Sequence, residues 1–491
     1  MREAKDDYAP HPLRIEGPCW RVLAMVLLFG SATYAQQAPS TLSRPWLASP
    51  AQARSNSSKN ASEKNLDQGH VYTLPELVDL AEEHNPDTRI AWEAAKMRAS
   101  DLRIARSELL PALVAVASAN STRQTILFGN EFIRQTVSCF EPFLSVDYTI
   151  FDFRARSSRI AEARDELLAA NFAFNAVHLD IAFETSRRYY RLLNALGLQE
   201  AAQANLENAQ TVLKAIEARE SVGLATLPDV LEARSAAAQA DYELQAAIGQ
   251  SDITRGDLLS ILGDRPLGNL KIQSLLQLQI PTQMNDEAEQ AVERALVQRP
   301  EILERAAEER AAGQRVREAR SAYFPTFDFH GTGGEQRLYG QQAQIPALYG
   351  GPTETWNATL TLHWNLFDGG RREAEFSHAH EEVRQAQAIT LRAQDDVEQQ
   401  VWNAYIDLRT AFRQREAATA LLAAAQSSYD ASVKSYDLGL RNVVDVVTAQ
   451  RTLAQALSQD VTARAEVLVQ LANLAYRTGD LLKSTQSRPR P

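Results

Sequence analysis

Residues 356–371 read Trp356-Asn357-Ala358-Thr359-Leu360-Thr361-Leu362-His363-Trp364-Asn365-Leu366-Phe367-Asp368-Gly369-Gly370-Arg371. As far as Leu366, apolar and polar residues alternate. A period of two sends one set to each face of a strand, so one face is buried or meets lipid and the other is wet. A glycine pair follows, and no proline then occurs before Pro489. That leaves room for a helix of about 65 residues, roughly 100 Å long at 1.5 Å per residue. Within it the apolar positions Val397, Val401, Tyr405, Leu408 and Phe412 step by threes and fours, the spacing of helices that pack along their length. A two-faced strand that feeds a very long helix narrows the fold more than any bulk property does.

The same pattern occurs earlier in the chain. Leu144, Val146, Tyr148 and Ile150 alternate with Ser145, Asp147 and Thr149, and the stretch from Arg154 to Leu227 lacks proline. Asn85-Pro86-Asp87 corresponds to Arg299-Pro300-Glu301, and Leu110-Pro111 to Phe324-Pro325, both 214 residues apart. Phe151-Asp152 corresponds to Phe367-Asp368, Gly223 to Gly439 and Asp229 to Asp445, all 216 apart. A period of this size exceeds a solenoid unit and marks a duplicated half-protein. Each half offers a helix that begins at a proline and stops before the next, a β-hairpin, and two long helices joined by a turn. The expected organisation is a first repeat over 73–270 with its hairpin at about 112–151, a linker over 271–285, and a second repeat over 286–482 with its hairpin at about 325–367. Polar loops are expected near 123–140 and 337–353.

The ends differ in character. Val22 to Phe29 is a short apolar run after Arg14 and Arg21 and before Thr33-Tyr34-Ala35, which reads as a secretory signal peptide over 1–35. Residues 36–72 read as a polar, flexible leader, and a flexible tail is expected over 483–491. No run of about 20 apolar residues predicts a transmembrane helix. Of the two cysteines, Cys19 leaves with the signal, so Cys139 has no internal disulfide partner and no paired-cysteine zinc site is possible. The formal net charge of −11 disfavours nucleic acid as a partner.

Four strands cannot close a barrel, and a strand in lipid cannot leave its edge unpaired. If these strands span a membrane, several chains must pool them. The alternative is a soluble periplasmic coiled-coil scaffold that carries a small sheet.

The chain resembles the TolC-like outer-membrane efflux proteins over nearly all of residues 73–482. The resemblance rests on the duplication, on Ser321-Ala322-Tyr323-Phe324-Pro325 before a strand, and on Leu366-Phe367-Asp368-Gly369-Gly370-Arg371 after one. It rests also on the turns Val222-Gly223-Leu224 and Leu438-Gly439-Leu440, each followed six residues past the glycine by Asp-Val. One departure is Phe153-Arg154, where the second half has its glycine pair. The resemblance implies a mainly α protein with membrane β: a homotrimer whose 12-stranded β-barrel sits in outer-membrane lipid and joins a long periplasmic α-helical barrel. Its function would be a passive exit duct of a tripartite efflux or type I secretion system, with a periplasmic adaptor at the tips Val222, Gly223, Leu224, Leu438, Gly439 and Leu440 and an inner-membrane pump supplying energy.

The resemblance also implies a periplasmic gate. Asp445 would line an acidic ring at the entrance, Arg441 and Tyr436 would be latch residues, and Asp229 would accept from Tyr436. Thr448 stands where the family has a second acidic ring position, and Pro228 replaces a hydroxyl residue. Asp229 and Asp445 also suit the first turns of their helices. No cofactor, metal site or catalytic constellation is expected. His378-Ala379-His380-Glu381 does not read as a metal site, because neighbours two apart on a helix do not face each other. No nucleophile-elbow, HExxH or P-loop pattern appears.

Overall fold

A computed structural model describes residues 70–481 except 265, 267–269, 276, 277, 279, 282–286, 343, 344, 350 and 351. The expected signal peptide, Cys19, nearly all of the leader, much of the linker and the tail lie outside the described residues.

The first half comprises β1 (Val71–Tyr72), α1 (Leu74–His84), α2 (Pro86–Ser107), β2 (Ala112–Phe128), β3 (Glu131–Phe151), α3 (Ala155–Ser221) and α4 (Leu227–Ile261). The second comprises β4 (Lys271–Ile272), α5 (Ala288–Gln298), α6 (Pro300–Ser321), β5 (Thr326–Gln342), β6 (Ile345–Tyr349), β7 (Thr353–His363), α7 (Arg371–Asp437) and α8 (Val443–Thr478). The two long helices, α3 and α7, each have 67 residues. β1 and β4 pair in parallel and so tie the starts of the two halves together.

Local chemistry sets the helix starts. The Thr73 amide donates to Glu76 Oε2 at 2.8 Å ahead of α1, and Asn85 Oδ1 accepts from the Asp87 amide at 2.8 Å ahead of α2. Both bonds satisfy amides that a helix start leaves open. The residue matching Asn85 in the second half is Arg299, which makes no cap. It is buried instead and donates to Gln400 Oε1 at 2.8 Å, so the halves share geometry but not chemistry here.

β2, β3 and β5 form an antiparallel ladder, and the far side of β5 pairs with β7 and then with β6. The register places Leu144, Val146 and Tyr148 beside Gly333, Gly331 and Phe329, which face Trp356, Ala358 and Leu360 in turn. One apolar face thus crosses both repeats. The opposite face carries Asp147, Thr149, Asp328 and His330, joined by bonds from Thr149 Oγ1 to Asp328 Oδ1 (2.7 Å) and between His330 Nδ1 and Asp147 Oδ1 (2.6 Å). Trp356, Leu360 and Leu362 remain exposed.

Three sequence expectations change. The region near 123–140 is ladder, not loop: pairing continues to Phe128 and Glu131 and leaves Gly129-Asn130 as the turn. Near 337–353, β5 runs on to Gln342 and pairs with β6. Ladder pairing needs only backbone partners, and a two-residue turn propagates it whatever the polarity of the side chains. At the other end β7 stops at His363, so Trp364 and Leu366 lie beyond the strand. Trp364 Nε1 donates there to the Tyr323 carbonyl at 3.2 Å.

Each sheet-to-helix junction needs two consecutive left-handed residues. They are Gly369 and Gly370 in the second half but Phe153 (φ 48°) and Arg154 (φ 77°) in the first. The Asp before each pair holds the helix start. Asp152 Oδ2 accepts from the Arg156 amide and Nε at 2.9 and 2.8 Å, and Asp368 Oδ2 accepts from the Arg372 amide and Nε at 3.3 and 2.7 Å.

Near the sheet, α3 packs with α2 and α6, and α6 with α7; farther along, α3 packs with α4 and α8, and α8 with α7. Of the seam read from the sequence, Val397, Val401 and Leu408 are buried and Tyr405 and Phe412 half-buried, and the matching positions Ile181, Thr185, Tyr189 and Leu192 of α3 are buried too. The largest core joins α1, α3, α4 and α8 through Leu77, Tyr189, Leu193, Leu258 and Leu468. Buried alanines such as Ala307, Ala311 and Ala404 let the helix backbones approach closely.

Candidate functional site

Both helical hairpins turn through the same motif. At the first tip Gly223 (φ 79°) donates to the Glu220 carbonyl and Leu224 donates to the Arg219 carbonyl, each at 2.9 Å. At the second tip Gly439 (φ 76°) donates to Tyr436 and Leu440 to Ser435, again at 2.9 Å. This is the Schellman arrangement, which satisfies terminal carbonyls and requires a left-handed residue at the glycine. Val222, Leu224, Leu438 and Leu440 project from the two turns and are exposed.

The carboxylate of Asp229 is engaged locally. Its Oδ2 accepts from the Thr226 amide at 2.9 Å and the Thr226 hydroxyl at 2.7 Å, which caps α4, with Pro228 in the first turn. Asp445 also lies in a first turn, but its role differs. Its amide donates to Asn442 Oδ1 at 2.9 Å. Its side chain is exposed and makes no hydrogen bond or ion pair among the described residues. Arg441 Nη1 donates to the buried hydroxyl of Ser432 at 3.2 Å. Tyr436 packs against a cluster of Ile216, Val230, Ala233, Val443 and Val447 that joins the two hairpins.

Tyr436, Arg441 and Asp445 therefore share the second tip, and Asp229 sits on the first. Within the single chain no direct bond links these four. The charged side chain that meets Tyr436 is instead Arg219, whose guanidinium carbon lies 4.6 Å from the ring centroid. The sequence reading missed it. The signal available was the repeat itself: Arg219 corresponds to Ser435, so a cation stands on one tip where the other has a hydroxyl.

Away from the tips, a chain of charges crosses four helices. Glu166 of α3 accepts from Arg98 of α2 and Arg315 of α6, each at 3.2 Å, and Arg315 also reaches Glu382 of α7 at 3.7 Å. Arg315 and Glu162 are in hydrogen-bond contact as well. Burial pushes the Glu162 carboxyl above the usual carboxylate range despite Arg315, and burial raises Glu304 on the same surface. His378 and His380 turn to different neighbours, Glu382 at 3.8 Å and the Phe376 ring at 4.6 Å.

Residues 77–264 and 291–480 match the family described as outer membrane efflux protein, and the chain belongs to that family. It is an outer-membrane channel protein whose helical part extends into the periplasm. It is 27% identical over 419 residues to the protein CyaE of Bordetella pertussis, covering 84% of this chain and 85% of that one. It is 25% identical over 380 residues to the outer membrane protein OprJ of Pseudomonas aeruginosa, covering 77% and 78%. The crystal structure of the Campylobacter jejuni CmeC outer membrane channel superposes with a TM-score of 0.69 at 19% identity, covering 84% of this chain and 89% of that one. The two-faced sheet is thus a membrane element, and the soluble scaffold falls away. Members of the family are channel proteins rather than enzymes.

Proposed function

We propose that three copies of this chain form one passive duct. The carrying observation is the sheet: among the described residues its outer strands β2 and β7 each have a ladder partner on one side only. An edge in lipid must be paired. β6 and β7 lie on the same side of β5, so each chain supplies four strand positions. Three chains joining β2 of one to β7 of the next give 12. A closed sheet of that size leaves an aqueous interior. The helices beneath it continue the duct across the periplasm, and the exposed apolar tips suit a periplasmic adaptor coupled to an inner-membrane pump. The cargo of this chain follows from the pump that it serves.

The gate belongs at the tips. Asp445, exposed and uncompensated, supplies the acidic ring. Tyr436 and Arg441 hold the second hairpin in its closed position, and Asp229 fixes the start of α4 beside them. Mass measurement in detergent tests the assembly: a particle of three chains is expected, and a monodisperse monomer in detergent-free buffer would defeat it. Cysteine labelling of intact cells on a Cys139→Ser background tests the orientation, with labelling expected at Asn130 and not at Leu224.

A further inference from the structure

One side chain straps the two helical tips together. Arg219, in the last turn of α3, reaches the last turn of α7. Its Nη1 donates to the Tyr436 carbonyl at 3.2 Å, its Nη2 donates to Asp437 Oδ1 at 2.9 Å, and its Cζ lies over the Tyr436 ring, 4.6 Å from the centroid. The ion pair alone would contribute little, because the Asp437 side chain is 61% exposed. The other two contacts change its character. The Tyr436 carbonyl already accepts from the Gly439 amide at 2.9 Å and gives its second lone pair to Arg219. It belongs to the C-terminal end of α7, where a cation also meets the negative end of the helix dipole. Stacking over the ring adds a cation–π contact that a planar guanidinium suits well.

The strap is one-way. The duplication sets Arg219 against Ser435, Tyr436 against Glu220 and Asp437 against Ser221. The second tip thus has no counterpart of this arginine, and the strap runs from the first tip to the second. The carboxylate of Asp229, meanwhile, is occupied by Thr226.

We propose that Arg219 is the positioning residue that keeps the second tip against the first within each protomer and so sets the width of the periplasmic entrance. This rests on the gate reading above. Opening swings the α7–α8 tip away from the α3–α4 tip, which breaks the contacts of Arg219 with Tyr436 and Asp437 and leaves the Thr226–Asp229 cap intact.

The test is single-channel recording of the full-length assembled protein in planar bilayers, with thermal unfolding as the control for folding. Arg219→Ala is expected to raise the open-to-closed ratio about tenfold, the effect of losing a charge-assisted hydrogen bond. Arg219→Lys keeps the charge but loses the fork and the stacked plane, so it should fall between Ala and the parent. Glu217→Gln breaks a 3.1 Å ion pair to Arg234 inside the first hairpin and should leave the ratio unchanged. The proposal is overturned if Arg219→Ala assembles and conducts like the parent while Tyr436→Phe with Arg441→Ser opens the channel. It is also overturned if Asp229→Asn opens the channel and Arg219→Ala does not. If no tip variant changes conductance, the gate reading itself fails and takes the strap with it.

Discussion

Phe153 stacks on Phe324, ring centroids 4.8 Å apart and planes 13° apart, so the end of the first hairpin and the start of the second lean on each other. The stack holds a residue at φ 48°, and Arg154 beside it stands at φ 77°. A left-handed conformation costs an L-residue about 1–2 kcal/mol. Arg154→Gly should therefore stabilise the chain by about 1 kcal/mol, less the entropy glycine adds to the unfolded state. Phe153→Ala keeps the strain and loses the stack, and should destabilise by about 1–3 kcal/mol. Thermal unfolding in detergent measures both, and a lower midpoint for Arg154→Gly would contradict the account.

The seam between the two repeats depends on Gly334. A Cβ there would lie 2.3 Å from the Pro142 carbonyl oxygen and 2.6 Å from Phe143 Cβ. Backbone cannot yield as a flexible side chain can, so Gly334→Ala should destabilise the β3–β5 pairing by about 1–3 kcal/mol. Proteolysis of the assembled protein should then cut within the sheet, whereas Gly333→Ala, with open space at its Cβ, should leave the digestion pattern unchanged.

Burial raises the Glu304 carboxyl above its ordinary value of 4.5, helped by Glu308 and Glu301 and opposed by Arg305. A carboxyl whose folded pKa is raised favours folding below the unfolded value and loses that favour as pH rises through the folded one. At neutral pH the ionised group is therefore a liability. Glu304→Gln should raise the unfolding midpoint at pH 7, and the gain should vanish below about pH 4.5, the ordinary value. A gain that persists in acid would show that packing, not charge, was responsible.

Asp445 provides a test at the entrance. Three exposed carboxylates brought to one axis repel each other, and a bound cation relieves the repulsion. Multivalent cations added on the periplasmic side should block current in the parent, and Asp445→Asn should weaken the block by about tenfold or more. Unchanged block would return Asp445 to the plain role of a helix-start residue.

Legible in the sequence alone were the duplication, the two-faced strands, the presence of very long helices and the tip glycines. These are periodic or local properties: a period of two, steps of three and four, a glycine where the backbone turns left-handed. Each is written within a few residues of where it acts. The sequence misjudged the hairpin ends because ladder pairing depends on backbone partners rather than on side-chain polarity, so a polar stretch such as 123–140 reads as loop and folds as strand. Contacts between tips were out of reach for a different reason. Tyr436 meets Arg219 across 217 residues, and only the packing of α3 against α8, and of α8 against α7, decides which side chain of one hairpin arrives beside the other. The sequence shows which residues can form a strap, but the crossing of the helices selects the one that does.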